Sequence, residues 1–133
     1  MRNGKLTAAD LIYNPIFDTD SYKPSHFEQV PDGIQYAESY IEARGGAPET
    51  AVVGWNMVLE SLRTQITMEM VDEAEEMWLE HCGSFNRQGW EDIVNKCNGY
   101  LPIQLLGVPE GTVIPIKKVI AVAREIGRAS CRE

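Results

Sequence analysis

The spacing of apolar residues changes character twice along this chain, and this limits the possible folds more than any single motif. From Trp55 to Cys97 apolar residues recur at steps of three and four. Trp55, Val58, Leu59, Leu62 and Ile66 form one series, Met70, Val71, Ala74, Met77, Trp78 and Cys82 a second, and Trp90, Ile93, Val94 and Cys97 a third. One buried stripe per helix gives that spacing, so it predicts three helices with core-facing aromatic and Met stripes. Thr67 is the candidate cap of the second, Gly83 its stop, and Asn98-Gly99 ends the third. Outside this region the pattern is that of strands. Ile34–Ala43 reads as one, with Tyr36, Ser39, Tyr40 and Ile41, and Gly45-Gly46-Ala47-Pro48 breaks it. Leu101–Val108 and Thr112–Ile116 flank the turn Pro109-Glu110-Gly111 and predict a hairpin-like pair, with Val119–Ala123 as a further strand. The predicted class is α+β: an N-terminal α/β segment with three central helices flanked by short strands.

A helical middle with isolated strand pieces at either end does not make a complete sheet. The expectation is a fragment of something larger, with exposed strand edges and apolar patches that favour association. The chain has 133 residues, 44% apolar and 24% charged, an ordinary globular composition for one domain. No apolar run approaches membrane-spanning length, and the basic start Met1-Arg2-Asn3-Gly4-Lys5 is not followed by a signal-like stretch. Twelve basic against 20 acidic side chains give 12 − 20 = −8, which argues against a nucleic-acid surface but leaves room for one Arg in an anion site. Glu69, Asp72, Glu73, Glu75, Glu76 and Glu80 fall within one helix and read as its solvated face.

Cys82, Cys97 and Cys131 form no Cys-x-x-Cys pair, and their odd number and wide spacing predict reduced thiols in a cytoplasmic protein. His81, Cys82 and Cys97 lack a fourth ligand at zinc spacing, so packing is the better reading of Cys82 and Cys97. Leu6–Phe17 is mixed and apolar and is expected to reach into a core.

Functional chemistry is densest in Asp18-Thr19-Asp20-Ser21-Tyr22-Lys23-Pro24-Ser25-His26. Asp18 and Asp20 can bind a metal, act as a base or cap a helix; capping is the default for Asp20, at the entry to a short helix that Pro24 limits. An EF-hand-type loop would need further oxygen ligands and a central Gly, which are absent. Tyr22 offers a flat ring with a polar tip, for stacking on an aromatic ligand or for packing. Pro31-Asp32-Gly33 is a turn. Arg44, at the end of the predicted strand, can hold a phosphate with paired N–H donors or serve as an ordinary surface cation.

Asp18 to His26, followed by Tyr36-Ala-Glu-Ser-Tyr-Ile-Glu-Ala-Arg44, resembles the N-terminal region of the nicotinamide phosphoribosyltransferases. Phe85-Asn-Arg-Gln-Gly-Trp90, Asn98-Gly-Tyr-Leu-Pro-Ile103 and Val108-Pro-Glu-Gly-Thr-Val-Ile-Pro115 resemble the same family in the same order. The resemblance runs from about Phe17 to Ile120 and fades after about Val122. It implies a type II phosphoribosyltransferase fold, of which residues 1–123 are the N-terminal domain and 124–133 a divergent, non-native tail holding Cys131. It also implies a reaction: nicotinamide and 5-phosphoribosyl-1-pyrophosphate give nicotinamide mononucleotide and pyrophosphate, in NAD salvage. Mg2+ assists at the pyrophosphate. Tyr22 matches the tyrosine that stacks on nicotinamide from the neighbouring subunit, Asp20 an aspartate near that pocket, and Arg44 an arginine on the phosphates across the interface of an obligate homodimer. His26 matches a family histidine and is read as structural. Family chains are several times longer and carry a barrel-like domain that holds the remaining ligands, so the expectation is a chain inactive alone. The alternatives are a nicotinate-type relative and a non-catalytic helical interaction module.

Overall fold

A computed structural model describes residues 13–34 and 36–126. Three helices follow one another in the middle of the chain: α1 (Trp55–Leu62), α2 (Met68–Cys82) and α3 (Arg87–Lys96). Five strands flank them: β1 (Glu38–Glu42), β2 (Glu49–Ala51), β3 (Ile103–Gly107), β4 (Val113–Pro115) and β5 (Val119–Glu125). The α+β class therefore holds.

The core is built on α2. Met70, Val71, Ala74 and Trp78 share its buried face and pack with Ile16 and Ile66, while Phe17, Met77, Phe85, Trp90 and Val94 close around them. Thr67 caps α2 through its side-chain oxygen, which accepts from the Met70 N–H, and Gly83 ends it in the left-handed region at φ 72°. Asn86 starts α3 in the same way, accepting from the Gly89 N–H at 3.0 Å. Ile16 and Phe17 confirm that the segment ending at Phe17 reaches the core; residues 6–12 lie outside the described residues.

Ile66 departs from the predicted helix. α1 stops at Leu62, and Ile66 is buried from a loop, its N–H donating to the Gly99 carbonyl at 2.8 Å. Its helical spacing was coincidental: the loop is held by backbone pairing with the end of α3, and Gln65 reaches the Asn98 carbonyl at 2.8 Å.

Strand pairing corrects two expectations. β1, β5 and β3 form a three-stranded antiparallel sheet in that order, and β2 pairs antiparallel with β4. All five strands thus have partners within the chain. The runs on either side of Pro109-Glu110-Gly111 do not pair as a hairpin. Gly111 N–H donates to the Val52 carbonyl, and Val52 N–H to the Thr112 carbonyl, which draws β4 towards β2 and leaves β3 to β5. Ile103, Leu105, Ala121 and Ala123 then share one face of the larger sheet. β5 continues through Arg124 and Glu125, the first residues of the segment expected to diverge; 127–133 lie outside the described residues.

Cys82 is a free thiol, whereas Cys97, 8% exposed, is disulfide-bonded. That overturns the reading of the cysteines as uniformly reduced; spacing along the chain does not reveal which thiols the fold brings together. Among the described residues no helix is long and apolar enough to cross a membrane.

Candidate functional site

The residues that lead into the motif are fixed to α2 through Asn14. Asn14, 5% exposed, accepts from the Ile16 N–H at 3.1 Å and donates to the Met70 carbonyl at 2.9 Å and to Glu73 at 3.0 Å. Pro15 occupies the start of the 3-10 turn Pro15–Phe17, where its missing N–H costs nothing. Tyr13 donates its hydroxyl to Asp18 at 2.7 Å. A second 3-10 helix, Lys23–Gln29, follows, and Glu28 accepts from the Ser84 hydroxyl at 2.5 Å beyond the end of α2. The loop between Asp18 and Lys23 is thereby held at both ends.

Asp20 does not cap that helix. Tyr22 is the residue before it, and Pro24 sits in its first turn and helps to start it rather than limiting it, because proline is already set at the required φ and needs no N–H partner there. Asp20 contributes its backbone carbonyl to the Lys23 N–H at 2.9 Å and its carboxylate to the Tyr22 hydroxyl at 3.0 Å. The Tyr22 phenol therefore titrates above its ordinary value, first because it donates to Asp20 and then because that carboxylate repels a phenolate. Lys23 Nζ lies 3.8 Å from the same carboxylate. Tyr22 is 60% exposed, and its ring centroid is 5.4 Å from that of His26 at an angle of 45°. The Ser25 hydroxyl donates to the Tyr22 carbonyl at 3.0 Å. The result is an aromatic ring presented to solvent with its tip tethered and a second ring beside it.

Asp20 and Tyr22 thus come together as a unit. Arg44 stands apart, exposed just beyond β1, next to Ala43, whose carbonyl accepts from the Lys117 N–H at 2.9 Å. Among the described residues no hydrogen bond or ion pair joins Arg44 to Asp20 or Tyr22. Nor, among those residues, is any group of three or more His, Cys, Asp or Glu side chains placed to hold a metal.

Sequence reasoning missed two features. Arg87 bridges α2 to α3, donating to Asp72 at 2.8 Å, to Glu75 and to Glu91 at 2.7 Å. Part of the acidic face of α2 is therefore paired rather than only solvated. Only the Arg87–Glu91 spacing of four was visible in sequence. The second is a cavity of about 550 Å³ between the motif segment, α2 and α3, lined by Asp18, Lys23, Phe27, Trp78, Phe85 and Trp90 among others. Asp20, Tyr22 and Arg44 are not among its lining residues.

With this geometry in view, the class can be given. Residues 14–105 match the family described as nicotinamide phosphoribosyltransferase, N-terminal domain, and the chain belongs to that family. A nicotinamide phosphoribosyltransferase of Xanthomonas campestris pv. campestris (strain 8004) is 39% identical over 109 residues, which cover 80% of this chain and 23% of that protein. The chain thus spans about a quarter of the length of this relative.

Proposed function

We propose that this chain supplies one wall of a nicotinamide phosphoribosyltransferase site, within the type II phosphoribosyltransferase fold, that a second subunit completes. The observation that carries the reading is Tyr22, a flat ring 60% exposed and held at its tip by Asp20, in a domain of this family. In this reading the ring stacks on the pyridine of nicotinamide, Asp20 fixes the ring's direction, and Arg44 binds phosphate oxygens of 5-phosphoribosyl-1-pyrophosphate. Stacking and fixed charge suit the chemistry: the ring nitrogen attacks the anomeric carbon while pyrophosphate leaves, so orientation and neutralisation of phosphate charge supply the catalysis. Mg2+ belongs to the phosphoribosyl donor, arriving on its pyrophosphate with few protein ligands.

The test is made in a full-length protein carrying this domain. Tyr22→Ala is expected to lower kcat/KM for nicotinamide by one to two orders of magnitude, by analogy with base stacking on aromatic side chains at ~1–3 kcal/mol. Arg44→Ala is expected chiefly to raise KM for the phosphoribosyl donor. Unchanged handling of nicotinamide by the Tyr22 variant removes that residue from the site. The 133-residue chain by itself is expected to form no nicotinamide mononucleotide; product from the pure chain would overturn the shared-site reading.

A further inference from the structure

The cavity beside the motif segment has its own chemistry. Its volume of about 550 Å³ is that of a small-molecule site. Phe27, Trp78, Phe85 and Trp90 line it, and the π faces of such rings attract cations. Its lining charges are Asp18, Asp92 and Glu125 against Lys23. Asp92 is paired with Lys96 at 2.8 Å, and Lys23 lies 3.8 Å from Asp20. Asp18 accepts from the Tyr13 hydroxyl at 2.7 Å, and no ion pair engages Asp18 or Glu125 among the described residues. Aromatic walls and two carboxylates that pair with no cation among the described residues therefore share one concave surface. Asp18 and Glu125 are themselves exposed, so their attraction for a cation is open to screening by salt.

We propose that this cavity binds a small organic cation, an alkylammonium whose charge is surrounded by apolar groups. A neutral apolar molecule would meet the rings but leave the carboxylates unused, and an anion would be repelled by them. Asp20, Tyr22 and Arg44 do not line the cavity, so the proposal stands or falls apart from the substrate reading above.

Choline serves as the probe and dimethylbutanol, its neutral carbon isostere, as the control, both titrated into the isotope-labelled 133-residue chain. The indole N–H resonances report position. Trp78 and Trp90 line the cavity, while Trp55 lies outside it with its indole donating to the Val108 carbonyl at 2.9 Å. The expected result is a saturable shift of the Trp78 and Trp90 resonances with Trp55 stationary. Choline is expected to bind about tenfold or more tightly than the isostere, and more weakly as salt is raised. Asp18→Asn is expected to weaken choline several-fold at an unchanged melting midpoint, and Trp90→Leu to weaken it further. Absence of a saturable shift, equal affinity for the isostere, or movement of all three indoles together overturns the proposal. If Trp90→Leu does not fold, the isostere ratio and Asp18→Asn decide the matter.

Discussion

At the scale of single residues, Tyr22 carries the functional argument and its ionisation gives a direct check. Its hydroxyl donates to Asp20, which raises the phenol above its ordinary value of 10.0. A group raised on folding stabilises the fold fully below its unfolded value, and that contribution is lost as pH rises through the folded value. The Tyr22–Asp20 bond is therefore expected to persist through neutral and mildly alkaline pH and to fail above pH 10. In an ultraviolet phenolate titration, Tyr22→Phe should remove a late-titrating phenol, and Asp20→Asn should bring Tyr22 to an earlier midpoint. An unchanged Tyr22 midpoint in Asp20→Asn would show that the bond is not formed in solution. Gly99 poses a steric question at the same scale. It holds φ 79°, and an added Cβ would lie 2.3 Å from the Ile66 carbonyl oxygen, so Gly99→Ala is expected to destabilise the chain by ~1–3 kcal/mol in denaturant unfolding. Ile66→Ala should cost ~2–5 kcal/mol, because Ile66 is 2% exposed within the core.

At the scale of elements, α2 is the frame on which the motif segment hangs. Thr67→Ala should cost ~1 kcal/mol by removing its cap. Glu69, in its first turn, is held below its ordinary range by its own backbone N–H and then by the Thr67 hydroxyl. A carboxyl depressed on folding contributes stability above its unfolded value and loses it as pH falls through the folded one. The penalty of Thr67→Ala is therefore expected to shrink in acid, and a constant penalty across that range would contradict the Thr67–Glu69 contact. Arg87 joins α2 to α3 through Asp72, Glu75 and Glu91, which raise its guanidinium above the usual range. Arg87→Met should lower Tm by a few degrees, with a smaller drop at high salt, because these partly exposed pairs are screened.

At the scale of the whole molecule, a large apolar surface stays in contact with solvent. Val53 is 77% exposed and Met57 78%, while Tyr36 and Tyr40 are 66% and 64% exposed. Among the described residues the larger sheet has β1 and β3 as its edge strands. Such surface favours association. Replacing Val53 and Met57 by Lys is expected to reduce self-association, measured by sedimentation, without lowering Tm. A fall in Tm would mean that these side chains are packed in the folded state.

Periodicity alone was enough to locate the three helices; in α2 Met70, Val71, Ala74 and Trp78 recur as one buried face requires, whereas Trp55 of α1 and Trp90 of α3 are only half-buried, and local chemistry placed the Thr67 cap and the Gly83 stop. The order of the motifs was enough to point to the family. Both are properties of neighbouring residues, and neighbours along the chain carry them. What the chain could not announce was settled by contacts across long separations. Val52 meets Thr112, so β4 pairs with β2 and the expected hairpin does not form. Asn14 meets Met70 and Arg87 meets Asp72. Asp20 was misread at short range instead: its carboxylate accepts from Tyr22, two residues on, rather than capping a helix start. Apolar spacing follows from the geometry of one element, whereas strand partners and the direction of a polar side chain depend on which groups the completed fold brings within hydrogen-bonding reach.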